Sequence, residues 1–449
     1  MKKKNHPIIC FIGAGSLGFT QKLIRDILLV PELRNCALSL HDIDAENLRR
    51  AECLVRKDID AFGLDTSVSS SLDRKRALEG AHYVINCTRI GGLDAFALDI
   101  EIPLKYGIDQ CVGDTLCAGG IMYAQRNIPQ ILAFCRDIRD VAAANAWFLN
   151  YANPMAMNTW AAIDRGGVNT VGLCHGVQHS HHLLAQVLGV EPGALDHAAV
   201  GINHQTWFVD LRIAGRRVEH GELLAALKAD PEIAASEKVR IDVLQRFGCW
   251  STESNGHLSE YLPWYRKRRD RIDDWIGHET WIQGETGGYL RECRRMRADY
   301  DADYEKLLAA DVPPLEKLER SLEHGSHIIQ AMETGRPYRG HFNVKNHGAI
   351  PNLPDDAVVE LRCHVDRLGI HVPRTQPLPP ACAATCSASI NVQRLAVMAA
   401  IEGDPLLLKQ AMLHDPLCGA VCEPAEIWAM TDELIAAQSQ WLPQYAGKI

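Results

Sequence analysis

The stretch "PIICFIGAGSLGF", Pro7 to Phe19, decides how the rest of the chain is read. Its apolar run Ile8–Ile12 stops at a glycine-rich turn, and the following "TQKLIRDILLV" has the spacing of an amphipathic helix. Strand, turn and helix in that order are the context in which G-x-G-x-x-G, here Gly13, Gly15 and Gly18, cradles a pyrophosphate. The first glycine permits the tight turn, the second lets the backbone approach the phosphates, and the third lets helix and strand pack closely. Backbone N–H groups of the turn, those of Ser16 and Leu17 included, and the positive end of the helix then face the phosphates.

Working outward, "CALSLHDID" is an alternating strand that ends on acids, and a charged helix from Ala45 to about Phe62 completes a βαβα start. The sheet is therefore expected to be parallel. Asp42, closing the second strand, is placed to accept hydrogen bonds from the adenosine ribose hydroxyls; a carboxylate there repels a 2'-phosphate, which favours NAD over NADP. "AHYVINCTRIGG", "AWFLNYANP" and "TVGLCHGVQ" supply further apolar strands, each breaking into a polar or glycine-rich loop. Ligands of open parallel sheets bind outside the carboxyl ends of the strands. That rule puts Asn86 and Asn150 beside the cofactor, and Arg89, Asp114 (in "VGDTLCAGGI") and Asn153 beside a substrate. Ordinary turn chemistry is the competing reading of these loops, for Asn150 above all.

The spacing gives a nucleotide domain over residues 1–202 and a second domain over 203–449, divided near Asn203. "AVGINHQTWFVDLRIAG" reads as strands of the second part, Ile233 to Thr334 as mostly helical, and "HFNVKNHGAIPNLPDDAVVELRCHVDR" as loop and sheet before a last helical run from Ser389 to about Ser439. The fold class is α/β: a Rossmann-like parallel sheet followed by a mixed α+β substrate and oligomerisation domain, as in lactate and malate dehydrogenases.

Composition narrows the partners. The 449 residues are 47% hydrophobic and 23% charged, without an apolar run of membrane-spanning length. A net charge of -9 opposes general binding to nucleic acid or anionic membranes, so a small-molecule ligand is expected. The basic runs "YRKRRDR" and "RECRRMR" alternate with acids and read as solvated helix faces. Fifteen irregularly spaced cysteines argue for free thiols and a cytoplasmic location. The basic start Met1 to Lys4 resembles a signal peptide, but the apolar run behind it is too short and enters the glycine turn.

"VGLCHGVQHSHH", Val171 to His182, clusters a thiol and imidazoles. His179, His181 and His182 read as the start of a helix. Cys174 and His204 have no zinc-finger spacing, yet each lies just past a strand-like segment, so both can face one crevice. A cation held by two protein ligands keeps positions open for substrate oxygens; a small buried hydrophobe is the other reading of Cys174.

"CFIGAGSLGF", "GDTLCAGGI", "NYANPMAMNTW", "GLCHGVQ", "GINH" and "GHLSEYLPWYRK", followed by "IPNLPDDAVVEL" and "EIWAMTDELI", stand in the order found in glycoside hydrolase family four. The chain resembles its branch of α-galactosidases, α-glucuronidases and α-galacturonidases over nearly its whole length. The resemblance implies tightly bound NAD, a divalent cation that is usually Mn2+, and glycoside hydrolysis by oxidation at C3, elimination across C1–C2, water addition and reduction, outside the two-carboxylate scheme. It also implies Cys174 and His204 as cation ligands and Tyr261 as the base at C2, with Glu260 and Tyr265 as rivals. Softness alone would favour zinc on sulfur and nitrogen, so Mn2+ rests on the resemblance. Where the phosphoglycosidases have an acidic Asp after the cysteine, this chain has His175, an imidazole able to act as general acid.

No phosphosugar signature is evident, so a non-phosphorylated α-hexoside is expected. Arg89, Lys105 and Arg126 lie in or near the ligand loops and would suit a carboxylate or sulfonate at C6, while "CAGG" departs from the "GPGG" of the galactosidases. The family resemblance also implies a homodimer or homotetramer. Two other classes share the nucleotide signature: an NAD-dependent 2-hydroxy-acid dehydrogenase, which would accumulate NADH, and a non-catalytic NAD sensor, which would need neither Cys174 nor His204.

Overall fold

The computed structural model describes residues 6–16 and 18–448; Leu17 and the basic start of the chain lie outside the described residues. Six strands form the first part of one sheet: β1 (Ile8–Ile12), β2 (Ala37–His41), β3 (Ser67–Ser71), β4 (Tyr83–Asn86), β5 (Trp147–Asn150) and β6 (Asn169–Gly172). Helices α1 (Phe19–Leu28), α2 (Ala45–Phe62), α3 (Arg74–Leu78), α4 (Gly92–Lys105), α5 (Cys117–Val141) and α6 (Met155–Ala161) connect them. All six strands pair in parallel, in the order β3-β2-β1-β4-β5-β6, which leaves a crevice at the β1/β4 switch point. The central strand β1 is apolar and almost wholly buried, as a strand covered on both faces must be, whereas the serine-rich β3 is a polar edge. Local chemistry sets the bounds of α2: the Asp44 carboxylate accepts the Asn47 N–H at 2.8 Å, and Gly63 ends the helix at φ 62°.

After α7 (Gly176–Val187) the chain adds β7 (Leu195–Ile202), β8 (Gln205–Ile213), β9 (Arg216–Arg217), β10 (Trp250–Ser251), β11 (Tyr338–Lys345), β12 (Val358–Asp366) and β13 (Gly369–His371). These pair antiparallel and continue the same sheet in the order β6-β11-β12-β7-β8-β10. The expected boundary near Asn203 falls inside the turn of the β7–β8 hairpin, where Ile202 faces Gln205. A hairpin closed by two residues is one unit, and the change from parallel to antiparallel pairing lies ahead of it, after β6. The last helical run also starts earlier than expected, at Pro380 rather than Ser389, because a proline fits the first turn of a helix. That helix, Pro380–Glu402, packs against α5 and α6 and also against β7.

One register row crosses most of the sheet. Ile12 faces both His41 and Asn86, and the row continues through Asn150, Gly172, Asn343, Glu360, Gly201 and Thr206. The glycine turn, Asp42, Cys174 and His204 all lie just beyond it. Among the described residues no helix is long and apolar enough to cross a membrane.

Candidate active site

Past the ends of β1 and β2 the glycine turn and Asp42 meet directly. The Gly15 N–H donates to the Asp42 carboxylate at 2.8 Å, and a Cβ on Gly15 would stand 2.8 Å from that carboxylate and 2.6 Å from Asn47. Only glycine keeps this approach open. Gly18 precedes α1 at φ 74°, and the Ser16 and Thr20 hydroxyls are bonded to each other at 2.9 Å. Asn86 and Asn150 are fully buried and turned toward one another: the Asn86 amide donates to Asn150 Oδ1 at 2.8 Å, and Asn150 in turn donates to the Ala152 carbonyl. Their polar atoms are thereby engaged within the protein. Their side chains brace the ends of β4 and β5, the strand edge at which the sequence expects the cofactor.

Three chain segments just past strand ends bring Cys174, His204 and Glu253 together. Cys174 follows β6, His204 is the second residue of the β7–β8 turn, and Glu253 follows β10; their ligand atoms all lie within 4.8 Å of one another. His204 is held at φ 63°, a conformation that favours glycine or asparagine and costs a histidine about 1–3 kcal/mol. The close packing extends to Gly176, where a Cβ would sit on the Glu253 carboxylate. Burial pushes the Cys174 thiol well above its usual range, and the Glu360 and Glu253 carboxylates add to this. Burial also opposes ionisation of Glu253, but the His204, His257 and His175 imidazoles outweigh it and hold the carboxyl below its usual range. His257, ring edge to His204 at 4.8 Å, is pulled down to about 4 by burial.

Tyr261 closes this group. It ends the helix Asn255–Tyr261, whose first turn is capped by Ser254, and its buried hydroxyl lies 3.3 Å from His204 Nδ1. Its two rivals are occupied elsewhere. Glu260 accepts the backbone N–H groups of Cys111, Val112 and Gly113 at 2.8–3.0 Å, bracing the loop that carries Asp114. Tyr265 donates to Asp242 at 2.8 Å.

The three expected substrate residues converge. The Asp114 carboxylate accepts from Asn153 Nδ2 at 3.0 Å and from Thr115 Oγ1 at 2.8 Å, with Arg89 at 3.9 Å. The Arg89 guanidinium lies over the rings of Phe96, Tyr123 and Tyr289 at 4.7–5.7 Å, and its Nη1 has no hydrogen-bond partner among the described residues. Lys105 and Arg126 are not part of this group. Lys105 pairs with Glu433 on the surface, and Arg126 is buried in an ion pair with Asp99 at 2.6 Å. His175 sits at the rim, 47% exposed, with Nδ1 3.0 Å from the Glu323 carboxylate, which Lys22 also reaches at 3.2 Å. Burial lowers the His175 imidazole, but Glu323 and then Glu253 raise it more, so the net displacement is upward.

The sequence reading missed Glu253, His257 and Glu323. Glu253 follows a strand of two residues, too short to show a period; the Ser254 cap was the one local signal.

Residues 8–190 match the family model described as family 4 glycosyl hydrolase, and residues 199–418 match that of the family 4 glycosyl hydrolase C-terminal domain. An α-galactosidase of Rhizobium meliloti (strain 1021) is 59% identical over 98% of this chain and 90% of its own length. An α-galactosidase of Bacillus subtilis (strain 168) is 34% identical over 97% and 99%. Among solved structures, the 6-phospho-β-glucosidase of Thermotoga maritima with manganese, NAD+ and glucose-6-phosphate superposes with a TM-score of 0.78 at 22% identity, covering 97% of this chain and 99% of that one.

Proposed function

The chain belongs to the family 4 glycosyl hydrolases, and on that premise we propose that it hydrolyses a non-phosphorylated α-hexoside, an α-galactoside first of all, with NAD and a divalent cation such as Mn2+. The observation that carries the reading is the convergence of Cys174, His204 and Glu253 with the Tyr261 hydroxyl 3.3 Å from His204. The donor set fits a cation. Glu253 adds a hard oxygen to sulfur and nitrogen, which moves the preference toward Mn2+. The open approach at Gly15, with Asp42 beside it, fits NAD. Two α-galactosidase relatives support the sugar, and the Thermotoga structure supports both cofactors.

When bound, NAD would supply reversible hydride acceptance and the cation would supply Lewis acidity toward substrate oxygens. Cys174, His204 and Glu253 hold that charge at a fixed place. The Tyr261 phenolic oxygen takes the C2 proton. Burial and the carboxylates of Glu260, Asp114 and Glu253 push this phenol well above its ordinary value, so its work as a base depends on positive charge beside His204. His175, its proton affinity raised by Glu323, protonates the departing oxygen. Asp114 and Asn153 bind sugar hydroxyls. Asp114 partly neutralises Arg89, which favours a neutral hexose over the C6 acid that a free guanidinium would select. A homodimer or homotetramer belongs to the same reading.

The test is release of 4-nitrophenol from 4-nitrophenyl α-galactoside in the presence of NAD and Mn2+, with a parallel run on substrate deuterated at C2. Aglycone release without net NADH and with loss of the label is expected. Net NADH without aglycone would establish the dehydrogenase instead, and full retention of the label would remove Tyr261 from the role of base.

A further inference from the structure

Strands β11, β12 and β7 carry a second group of polar side chains, displaced along the sheet from the catalytic row, for which the hydrolysis has no use. Arg339 and His341 alternate on β11 and so project to one side of the sheet. His341 faces Arg362 across the β11–β12 ladder and Arg339 faces His364, which sets the two guanidiniums on a diagonal within reach of each other. Burial and the neighbouring Arg339 disfavour the charge on Arg362, and Asp196 is the carboxylate that acts against them. Among the described residues neither arginine forms an ion pair or a side-chain hydrogen bond. His341 is 5% exposed; its ring stacks on His197 at 5.2 Å and 18°, and His181 lies 4.5 Å from His197. The Nε2 atoms of His341 and His197 are buried and lack a hydrogen-bond partner among the described residues. Burial, then Arg362, His181 and Arg339, draws His197 down to about 3, so the imidazole is neutral at ordinary pH and offers an N–H rather than a charge.

Two like charges thus stand side by side, with Asp196 acting on Arg362 alone, next to imidazole nitrogens that have no partner among the described residues. We propose that Arg339, Arg362 and the stacked His341–His197 pair form a binding site for a tetrahedral oxyanion of the phosphate or sulfate class. Forked guanidiniums match such an ion two oxygens at a time, and imidazole N–H groups supply the remaining donors. The site is independent of the glycosidase reading and uses none of its residues.

The experiment is isothermal titration of the enzyme, loaded with NAD and Mn2+, with sodium sulfate, against sodium chloride at equal ionic strength. One saturable sulfate site per chain is expected. R339Q and R362Q should each weaken it at least about tenfold, the order lost with one charge-assisted pair, and leave glycosidase turnover unchanged. A response no different from chloride overturns the proposal. Arg362 is half-buried and its variant could fold poorly, so the exposed Arg339 decides alone: a folded R339Q that binds sulfate as tightly as the parent rejects the site. Absence of sulfate binding together with dissociation of an oligomer in R339Q also rejects it, and assigns the charges to a contact between copies.

Discussion

In the parallel half of the sheet, Asn86 and Asn150 fill each other's hydrogen-bonding capacity at the ends of β4 and β5. In the antiparallel half, on the same register row, Asn343 has neither amide atom paired among the described residues, and neither have Asn203 and Gln205 nearby; one oxygen of Glu360 is also unpaired. In the parallel half the strand-end asparagines fix each other, and the unpaired atoms, on Arg89, Asn127 and Asn158, lie off the register row. The half that carries His204 and Glu253 leaves polar atoms open beneath the ligand residues, at a cost of about 1–3 kcal/mol for each group left unsatisfied. Along the register row, then, the pairing is closed at β4 and β5 and open at β11 and β12.

Tyr261→Phe bears on this contrast most heavily. It should lower kcat by about 10² to 10⁴-fold, the contribution of a positioned base, and suppress exchange of the C2 deuterium, while NAD binding measured by fluorescence is unchanged. Cys174→Ala should cost about 10²- to 10³-fold in turnover, as expected for loss of a preorganised electrostatic group, with activity regained only at much higher Mn2+. Stability provides the next test. Asn150→Ala leaves the Asn86 amide unpaired and should lower unfolding free energy by about 1–3 kcal/mol in urea, whereas Asn343→Ala should cost less than about 1 kcal/mol because it deletes atoms that are already unpaired. Equal losses in the two variants would break the contrast. The smallest effect concerns pH. Burial, with Arg320 beside it, pulls His327 down to about 4, against 6.5 for an ordinary imidazole. Below pH 6.5 the unfolded chain takes up a proton that the folded one refuses, so stability falls as pH drops from 6.5 toward 4. His327→Gln should make that fall shallower by a fraction of about 1.4 kcal/mol per pH unit, read from urea unfolding at pH 7 and pH 5.

The parallel half was legible because its strands are buried on both faces and end at glycine or polar residues, so Gly13, Gly15, Gly18, Asp42 and Cys174 announce the ligand edge by position alone. His204 was legible for the same reason, at the end of β7. Other parts depended on contacts distant in sequence. The sheet continues across β6–β11 through the single pair Asn343↔Gly172, which no periodicity encodes. Glu260 stands next to Tyr261 in the chain but takes its role from three backbone N–H groups of another loop. Arg126 and Lys105 resembled ligand residues because a charge near a loop looks the same from sequence whether its partner is a substrate or Asp99 and Glu433.

The one-pair joint between β6 and β11 has a mechanical consequence. Cys174 hangs from the last parallel strand, while His204 and Glu253 hang from the antiparallel strands beyond the joint. Any slip or twist along that narrow seam changes the span between thiol and imidazole, the quantity a metal ion would sense. The three side chains are therefore carried on two arms of one sheet, and the helix Pro380–Glu402 packs on α5 and α6 on one side of the joint and on β7 on the other.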